Sequence, residues 1–475
     1  MQNQPPDHNI LDTDRIGWLL IKLATPAFLG MFVQTLYNVI NTIFVGQFVG
    51  TLAIAGLSIA FPLQMLIMGL SMMVGMGGAS LVSRLLGKGE KDRAELALGN
   101  GITVGVILGV LAMIVILPFV DFWLKLIGAS EAVLPFARDY LTIITAGSVF
   151  NILAMALLSL ARSEGNARVG MTAMIMGAIL SIILDAVFII WLKMGVTGAA
   201  LATVISQVAS FVYLLTYYLT GSSYLKIRLS NMRLNYSILK DMFAIGVASF
   251  VQTIASSLSA MLLINMVVTH GGDVALGAFG IIQRVMMFAL MPGMVIGQGL
   301  QPILGFNYGA KRYHLAQKSI MLAVTVSTSL SILAFLILYF IPEPLIGIFS
   351  KDTELIAVGA HASKLVFLSM PIMGAVMVGQ LIFQAIGKAV QSFITAIVRP
   401  VVFLIPMVLI LSRTWGLDGV FLSFPASDVL ALLLIVGMLF PIISQFRKAA
   451  AKQKQAGIGT VGQLLSTPES SRVID

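Results

Sequence analysis

The sequence predicts an all-α integral membrane protein of twelve transmembrane helices, arranged as two pseudo-symmetric six-helix bundles. Three observations carry that expectation. The 475-residue chain is 58% hydrophobic and only 10% charged, with a mean hydropathy of +0.99, whereas a soluble domain is about half apolar and about a quarter charged. Apolar runs of roughly 20 residues, long enough to cross a bilayer, succeed one another along the whole length. The chain also repeats itself. Phe32-Val33-Gln34-Thr35 returns letter for letter as Phe250-Val251-Gln252-Thr253, Gly75-x-Gly77 as Gly297-x-Gly299, Gly165 as Gly387, and Trp191…Gly195-Val196 as Trp415…Gly419-Val420. The offset grows from 218 to 222 to 224, so the second copy carries small insertions, the first about one helical turn long. A repeat of about 220 residues is far too long for a solenoid or a propeller blade. Two copies of one membrane-embedded unit fit the plan of a secondary transporter, whose substrate site lies between the halves.

Taken in order, residues 1–16 form a polar N-terminal tail without the apolar stretch of a signal peptide. An N-lobe, 17–220, holds spans near 18–45, 54–83, 96–119, 136–159, 170–192 and 198–220. The third contains Gly101-xxx-Gly105-xxx-Gly109, small residues that let helices approach closely. The longest polar stretch between spans, 221–240, reads as a linker on the cytoplasmic side. A C-lobe, 241–445, holds spans near 241–268, 276–303, 319–341, 359–384, 393–411 and 419–442. Residues 446–475, rich in Gln, Lys and Ser, read as a disordered cytoplasmic tail. Lipid-facing barrel strands would alternate every second residue, which these segments do not.

The net charge of +9 belongs to the membrane rather than to nucleic acid. By count about 21 of the 29 Lys and Arg residues fall in alternate loops and the two tails, as the positive-inside rule requires. The intervening loops carry acids: Asp121, Glu131, Asp273, Glu343, Asp352 and Glu354. The expectation is a multi-pass protein of the cell membrane with both termini cytoplasmic. There are no cysteines, and none of the four histidines has a metal partner at ligand spacing. Gly75-Met76-Gly77-Gly78 follows no strand, and Gly87-Lys88-Gly89 lacks the ending of a phosphate-binding loop. The sequence thus predicts neither an enzyme nor a cofactor or metal; with no ATP-driven engine, an ion gradient must drive any pumping.

Ionisable groups at bilayer depth are costly and mark working parts. The sequence places four there: Asp185, Arg284, Arg399 and Asp428. Asp185 lies in the fifth span with Ser181 one turn earlier on the same face. Desolvation disfavours the charged form of a carboxylic acid, so an acid at this depth can take up and release a proton; a structural hydrogen bond to a neighbouring helix is the alternative. Gln34, Asn38 and Asn41 form one stripe of the first span, with Tyr37 beside it, and Gln252, Ser256 and Ser259 stand at the repeat positions. Such stripes face protein or water, either as two half-cavities or as helix–helix adhesion. Arg284 sits one turn into the eighth span. Arg399, before Pro400, and Asp428 form a possible buried pair in the C-lobe.

The segments Leu36-Tyr37-Asn38-Val39-Ile40-Asn41-Thr42-Ile43-Phe44-Val45-Gly46, Leu160-Ala161-Arg162-Ser163-Glu164-Gly165-Asn166, Ile183-Leu184-Asp185-Ala186-Val187-Phe188-Ile189, Gly198-Ala199-Ala200-Leu201-Ala202-Thr203 and Gln298-Gly299-Leu300-Gln301-Pro302-Ile303-Leu304-Gly305-Phe306-Asn307-Tyr308-Gly309-Ala310 are similar to those of the multidrug and toxic compound extrusion (MATE) family. The resemblance covers roughly residues 15–445. It implies two bundles enclosing a cavity that opens alternately to either side, and export of bulky, often cationic amphiphiles in exchange for H⁺ or Na⁺. It further implies an N-lobe ion site at Asn41, Ser181, Asp185 and Thr203, and a helix bend at Pro26. The chain departs from the family where an aspartate is usual and Asn41 stands, and where an asparagine is frequent and Ser181 stands. Losing the first-span acid removes half the negative charge of a sodium site, which favours H⁺ exchange at Asp185. The partners implied are small-molecule drugs or toxins and the lipid bilayer, with the protein a monomer. An exporter or flippase of lipid-linked saccharides, a distant relative of similar design, would need a strongly basic central cavity, and this sequence places only Arg284 and Arg399 in the membrane.

Overall fold

The computed structural model describes residues 10–465, and helices account for nearly all of them, with no strand among the described residues. Apolar composition and the hydrogen-bond demand of a bilayer leave helices as the means of spanning it. Nine helices among the described residues are long and apolar enough to cross, and the pair Leu134–Ala146 and Ser148–Ser163, bent by 52° at Gly147, makes a tenth. Two of the nine are 74 and 63 residues long, at 1.5 Å per residue about 110 and 95 Å, several times a bilayer's apolar thickness. Each contains one glycine off the helical path: Gly272 (φ 63°, ψ −159°) in Tyr236–Gly309 and Gly416 (φ 56°, ψ −129°) in Ile405–Leu465. Dividing the chain there yields twelve segments, consistent with the expected twelve spans.

The backbone carries the duplication as plainly as the letters do. Left-handed φ values recur 222 residues apart at Gly50 and Gly272, Gly89 and Lys311, and Gly165 and Gly387, and 221 apart at Gly195 and Gly416. The last pair corrects the repeat read from the letters: Gly416, not Gly419, turns the chain where Gly195 does. Gly419 instead lies against the Leu411 carbonyl. Both the fifth and the eleventh span contain a π-helical stretch, Ala186–Trp191 and Val398–Leu404, a distortion frequent at functional sites.

Helix ends and loops gather at the end of the bundle that carries the described ends of the chain. Ile10 and Leu11 pack against Gly165, and Arg312 pairs with Asp12 at 2.5 Å. Asn100 and Thr103 of the third span donate to the carbonyls of Asn231, Met232 and Arg233, docking the segment between the lobes onto the N-lobe. Buried Glu164 accepts from Tyr217, Ser223 and the Leu225 amide at 2.7–3.2 Å. Burial pushes the Glu164 carboxyl up to about 7, against the pull of those donors. The last helix runs on to Leu465, into the stretch read as a tail; residues 466–475 and 1–9 lie outside the described residues.

One apolar core extends from the N-lobe into this end of the C-lobe, including Met242, Ile296, Leu300, Ile303 and Phe306. A second, with Leu263, Val267, Phe279 and Phe421, lies within the C-lobe toward the Gly272 end. The lobes share packing at the terminal end and keep separate cores at the other. The shared seam is built on glycine: Gly77 abuts the Met242 carbonyl, Gly246 that of Met73, Gly87 that of Phe306, and Gly309 that of Arg84.

Candidate functional site

In the N-lobe three helices bring polar side chains to one point. Tyr37 and Asn41 are one turn apart on the first helix, Ser181 and Asp185 one turn apart on the fifth, and Thr203 lies on the sixth. The Tyr37 hydroxyl is 3.2 Å from Thr203 Oγ1, and Asn41 Nδ2 donates to it at 2.9 Å. Ser181 lies beside the same phenol, though its hydroxyl does not meet hydrogen-bond geometry. Asp185 is 0% exposed. Both its carboxylate oxygens, together with Asn41 Oδ1 and Ser181 Oγ, are buried without a protein hydrogen-bond donor. The aspartate is the last α-helical residue before the π-stretch of the fifth span.

Sequence reasoning missed three contributors. Tyr140 of the fourth span is buried, within electrostatic reach of Tyr37 and Asp185, and beside Gln64 of the second. Gln207 stands one turn beyond Thr203 with a buried, unbonded Oε1. Gln64 and Gln207 were legible as polar residues within apolar spans.

The repeat positions in the C-lobe are used differently. Ser259 is buried and donates to the Pro400 carbonyl at 2.6 Å inside the eleventh span's π-stretch, the helix-adhesion use. Gln252 donates to Gln380 at 3.2 Å. Ser256 and Asn38 are exposed, Gln34 half-buried, and Arg284 exposed on the eighth helix. Arg399 and Asp428 do meet: Nε lies 2.8 Å from Oδ1, and Ser369 donates to Oδ2 at 2.6 Å. The C-lobe acid is therefore neutralised and the N-lobe acid is not. At the repeat offset of 222, Asp185 corresponds to Met407, so the carboxylate site belongs to one lobe alone.

Between the lobes, Phe28 stacks on Phe32 at 6.1 Å, and Phe32 meets Phe288 of the C-lobe edge-on at 6.3 Å. All three rings are partly exposed. Just below, Ala24 and Ala27 pack against Met291 and Val295, with buried Pro26 between them. The phenylalanines thus form an aromatic wall across the seam, suited to flat apolar or cationic molecules.

Two further buried cations overturn the placement of Arg84 and Arg162 in basic loops. Arg84 Nε donates to the Ser80 carbonyl at 3.0 Å and reaches Gly387 of the other lobe. Arg162 Nη1 donates across the seam to Gln298 Oε1.

With this geometry in hand, the comparisons are specific. The MatE family profile matches residues 26–187 and again 248–410, once per repeat. The multidrug export protein MepA of Staphylococcus aureus (strain MSSA476) is 27% identical over 424 residues, 88% of this chain and 93% of that protein. MepA of Staphylococcus saprophyticus is 28% identical over 425 residues, with the same coverages. The MATE multidrug transporter DinF-BH, solved in complex with a drug, superposes with a TM-score of 0.86 at 40% identity, covering 93% of this chain and 98% of that one.

Proposed function

The chain belongs to the MatE family, and on that premise we propose that it exports bulky, often cationic amphiphiles from the cytoplasm in exchange for protons taken up at Asp185. The observation that carries the reading is the isolation of that carboxylate: fully buried, with no donor on either oxygen, beside two more unsatisfied oxygens. An ionised carboxylate so placed costs several kcal/mol. Binding a proton cancels the charge; losing it restores an anion that the lobe must accommodate by moving. A switch that alternates between these states is what exchange requires. The relatives' export of several drugs, and the drug complex of DinF-BH, support the substrate class.

The N-lobe (17–220) and C-lobe (241–445) act as the two halves of the passage, joined by 221–240. Alternate basic loops support cytoplasmic termini, so the glycine seam closes the cytoplasmic end. Cationic substrate rests on Phe28, Phe32 and Phe288. Protonation of Asp185 from outside contracts the N-lobe site, with Pro26 as the bend of the first helix, and substrate leaves; deprotonation inside resets the cycle. One proton falling through about 120 mV releases about 2.8 kcal/mol, enough for about a hundredfold gradient of a neutral substrate. The protein acts as a monomer. The oxygen cluster also favours a second reading, Na⁺ held by Asp185, Asn41 and Ser181, since hard cations take oxygen ligands. Purified protein in vesicles distinguishes them: dye uptake that follows an imposed pH difference without Na⁺ supports proton exchange, and uptake that needs a Na⁺ difference refutes it.

A further inference from the structure

We propose that Arg162 is a charge filter at the closed end of the passage: an enclosed guanidinium with no carboxylate partner, which turns cations back from the seam between the lobes. The proposal rests on the exchange reading above and adds the residue that keeps exported cations from returning.

Arg162 is the penultimate residue of the helix Ser148–Ser163. It is half-buried and desolvated by the helices around it. Its bonding partner, Gln298, is neutral and belongs to the other lobe. None of the ion pairs among the described residues includes it. Gln298 lies eleven residues inside the Gly309 end of its helix, about 16 Å at 1.5 Å per residue, so the contact is within the membrane rather than at its rim.

The repeat isolates the charge as the unusual feature. The residue 222 positions after Arg162 is Gln384, which joins the lobes through its backbone carbonyl, accepting from Ser80. The residue 222 positions before Gln298 is Met76, whose carbonyl faces Gln301 Nε2 at 3.5 Å. The pseudo-two-fold seam is therefore held elsewhere by neutral groups. A glutamine at 162 could keep the bond to Gln298 without the cost of desolvating a cation. What glutamine cannot supply is a fixed positive potential. At an effective dielectric near 20, a unit charge roughly 8 Å away lowers the occupancy of a monovalent cation about thirtyfold and leaves a neutral solute unaffected.

The test is a leak measurement in proteoliposomes without any imposed gradient, using a hydrophilic quaternary ammonium dye and a neutral dye of similar size. Arg162→Gln and Gln298→Glu are both expected to raise cation leak by up to about thirtyfold with the neutral leak unchanged; Arg162→Lys is expected to behave as the wild type. Gln298→Glu is the decisive variant, because it strengthens the bond while cancelling the charge, and it carries the test if Arg162→Gln is not monodisperse. Equal increases in both leaks, or a Gln298→Glu protein tighter to both dyes, would overturn the filter and leave a steric seal. Gradient-driven uptake by the wild type in the same vesicles reports separately on exchange: its failure removes that reading while the leak selectivity still decides this one.

Discussion

Gly87 and Gly309 are 222 residues apart and hold each other's neighbourhood closed. A Cβ at Gly87 would fall on the Phe306 carbonyl, and one at Gly309 on the Arg84 carbonyl; Arg84 and Phe306 are themselves 222 apart. The obstacle on both sides is backbone in mid-helix, which cannot swing aside as a side chain can. Overpacking of this kind costs about 1–3 kcal/mol. The cost falls only on the arrangement in which the seam is shut, since separated lobes have room for a methyl. Gly87→Ala should therefore raise the population open at the terminal end by about fivefold to about a hundredfold, at 1.4 kcal/mol per tenfold. The double variant should gain less than the product, because the first displacement makes room for the second. The chain has no cysteine, so one introduced thiol reports without background. Ser249→Cys suits it: the serine is buried, its hydroxyl has no partner, and it lies one turn beyond the seam residue Gly246. Maleimide labelling of Ser249→Cys, with and without Gly87→Ala, should accelerate by that factor. An unchanged labelling rate in a protein that remains folded would show that the seam is not what opens.

Asp185→Asn should reduce gradient-driven uptake to the unenergised baseline, while raising the thermal midpoint in alkaline detergent, because it removes an uncompensated buried charge; uptake at the wild-type rate would refute coupling at this residue. Glu164 has a folded pKa of about 7 against an ordinary value of 4.5, so the native state holds its proton longer than the unfolded chain. Stability should accordingly fall, by about 3 kcal/mol in total, as pH rises from 4.5 through 7, and Glu164→Gln should flatten that part of a melting-temperature profile. Arg399→Gln leaves Asp428 buried without its cation; the loss should be a few kcal/mol, below the 3–5 of a fully buried pair because Arg399 is 28% exposed. Adding Asp428→Asn should recover part of the lost thermal midpoint, and a double variant no more stable than the single would refute the pairing account.

The architecture was legible because hydropathy and repetition are properties of composition and spacing, which survive any detail of packing. Asp185 was legible because a lone acid inside an apolar run has few structural excuses. Arg399 and Asp428 could be paired on paper because each was the other's only opposite charge in the second half of the membrane inventory. What spacing could not decide was which side of a helix terminus a long side chain takes. Arg84 and Arg162 sit at helix ends that read as loops, yet both guanidiniums turn back into the seam, drawn by carbonyl and amide oxygens of other helices. Tyr140 was hidden for a related reason: a tyrosine in an apolar span scores as an aromatic, and only the convergence of the second, fourth and fifth helices sets its hydroxyl beside the site. Ser259 shows the converse error of symmetry, a repeat position that shares the fold of its partner and not its use.

That divergence bears on mechanism. The two halves agree in backbone, down to left-handed residues at matched positions, and disagree in charge. The C-lobe closes its acid with Arg399 and Ser369, locking the tenth, eleventh and twelfth spans together through one ion pair. The N-lobe leaves its acid open and adds the unpaired Arg162 at the floor. A coupling ion can act on only one lobe if only that lobe has a charge left to titrate, so the C-lobe is the fixed wall against which the N-lobe changes shape. Duplication provides the hinge-related pair of bundles; the direction of transport comes from the places where the copies stopped being equivalent.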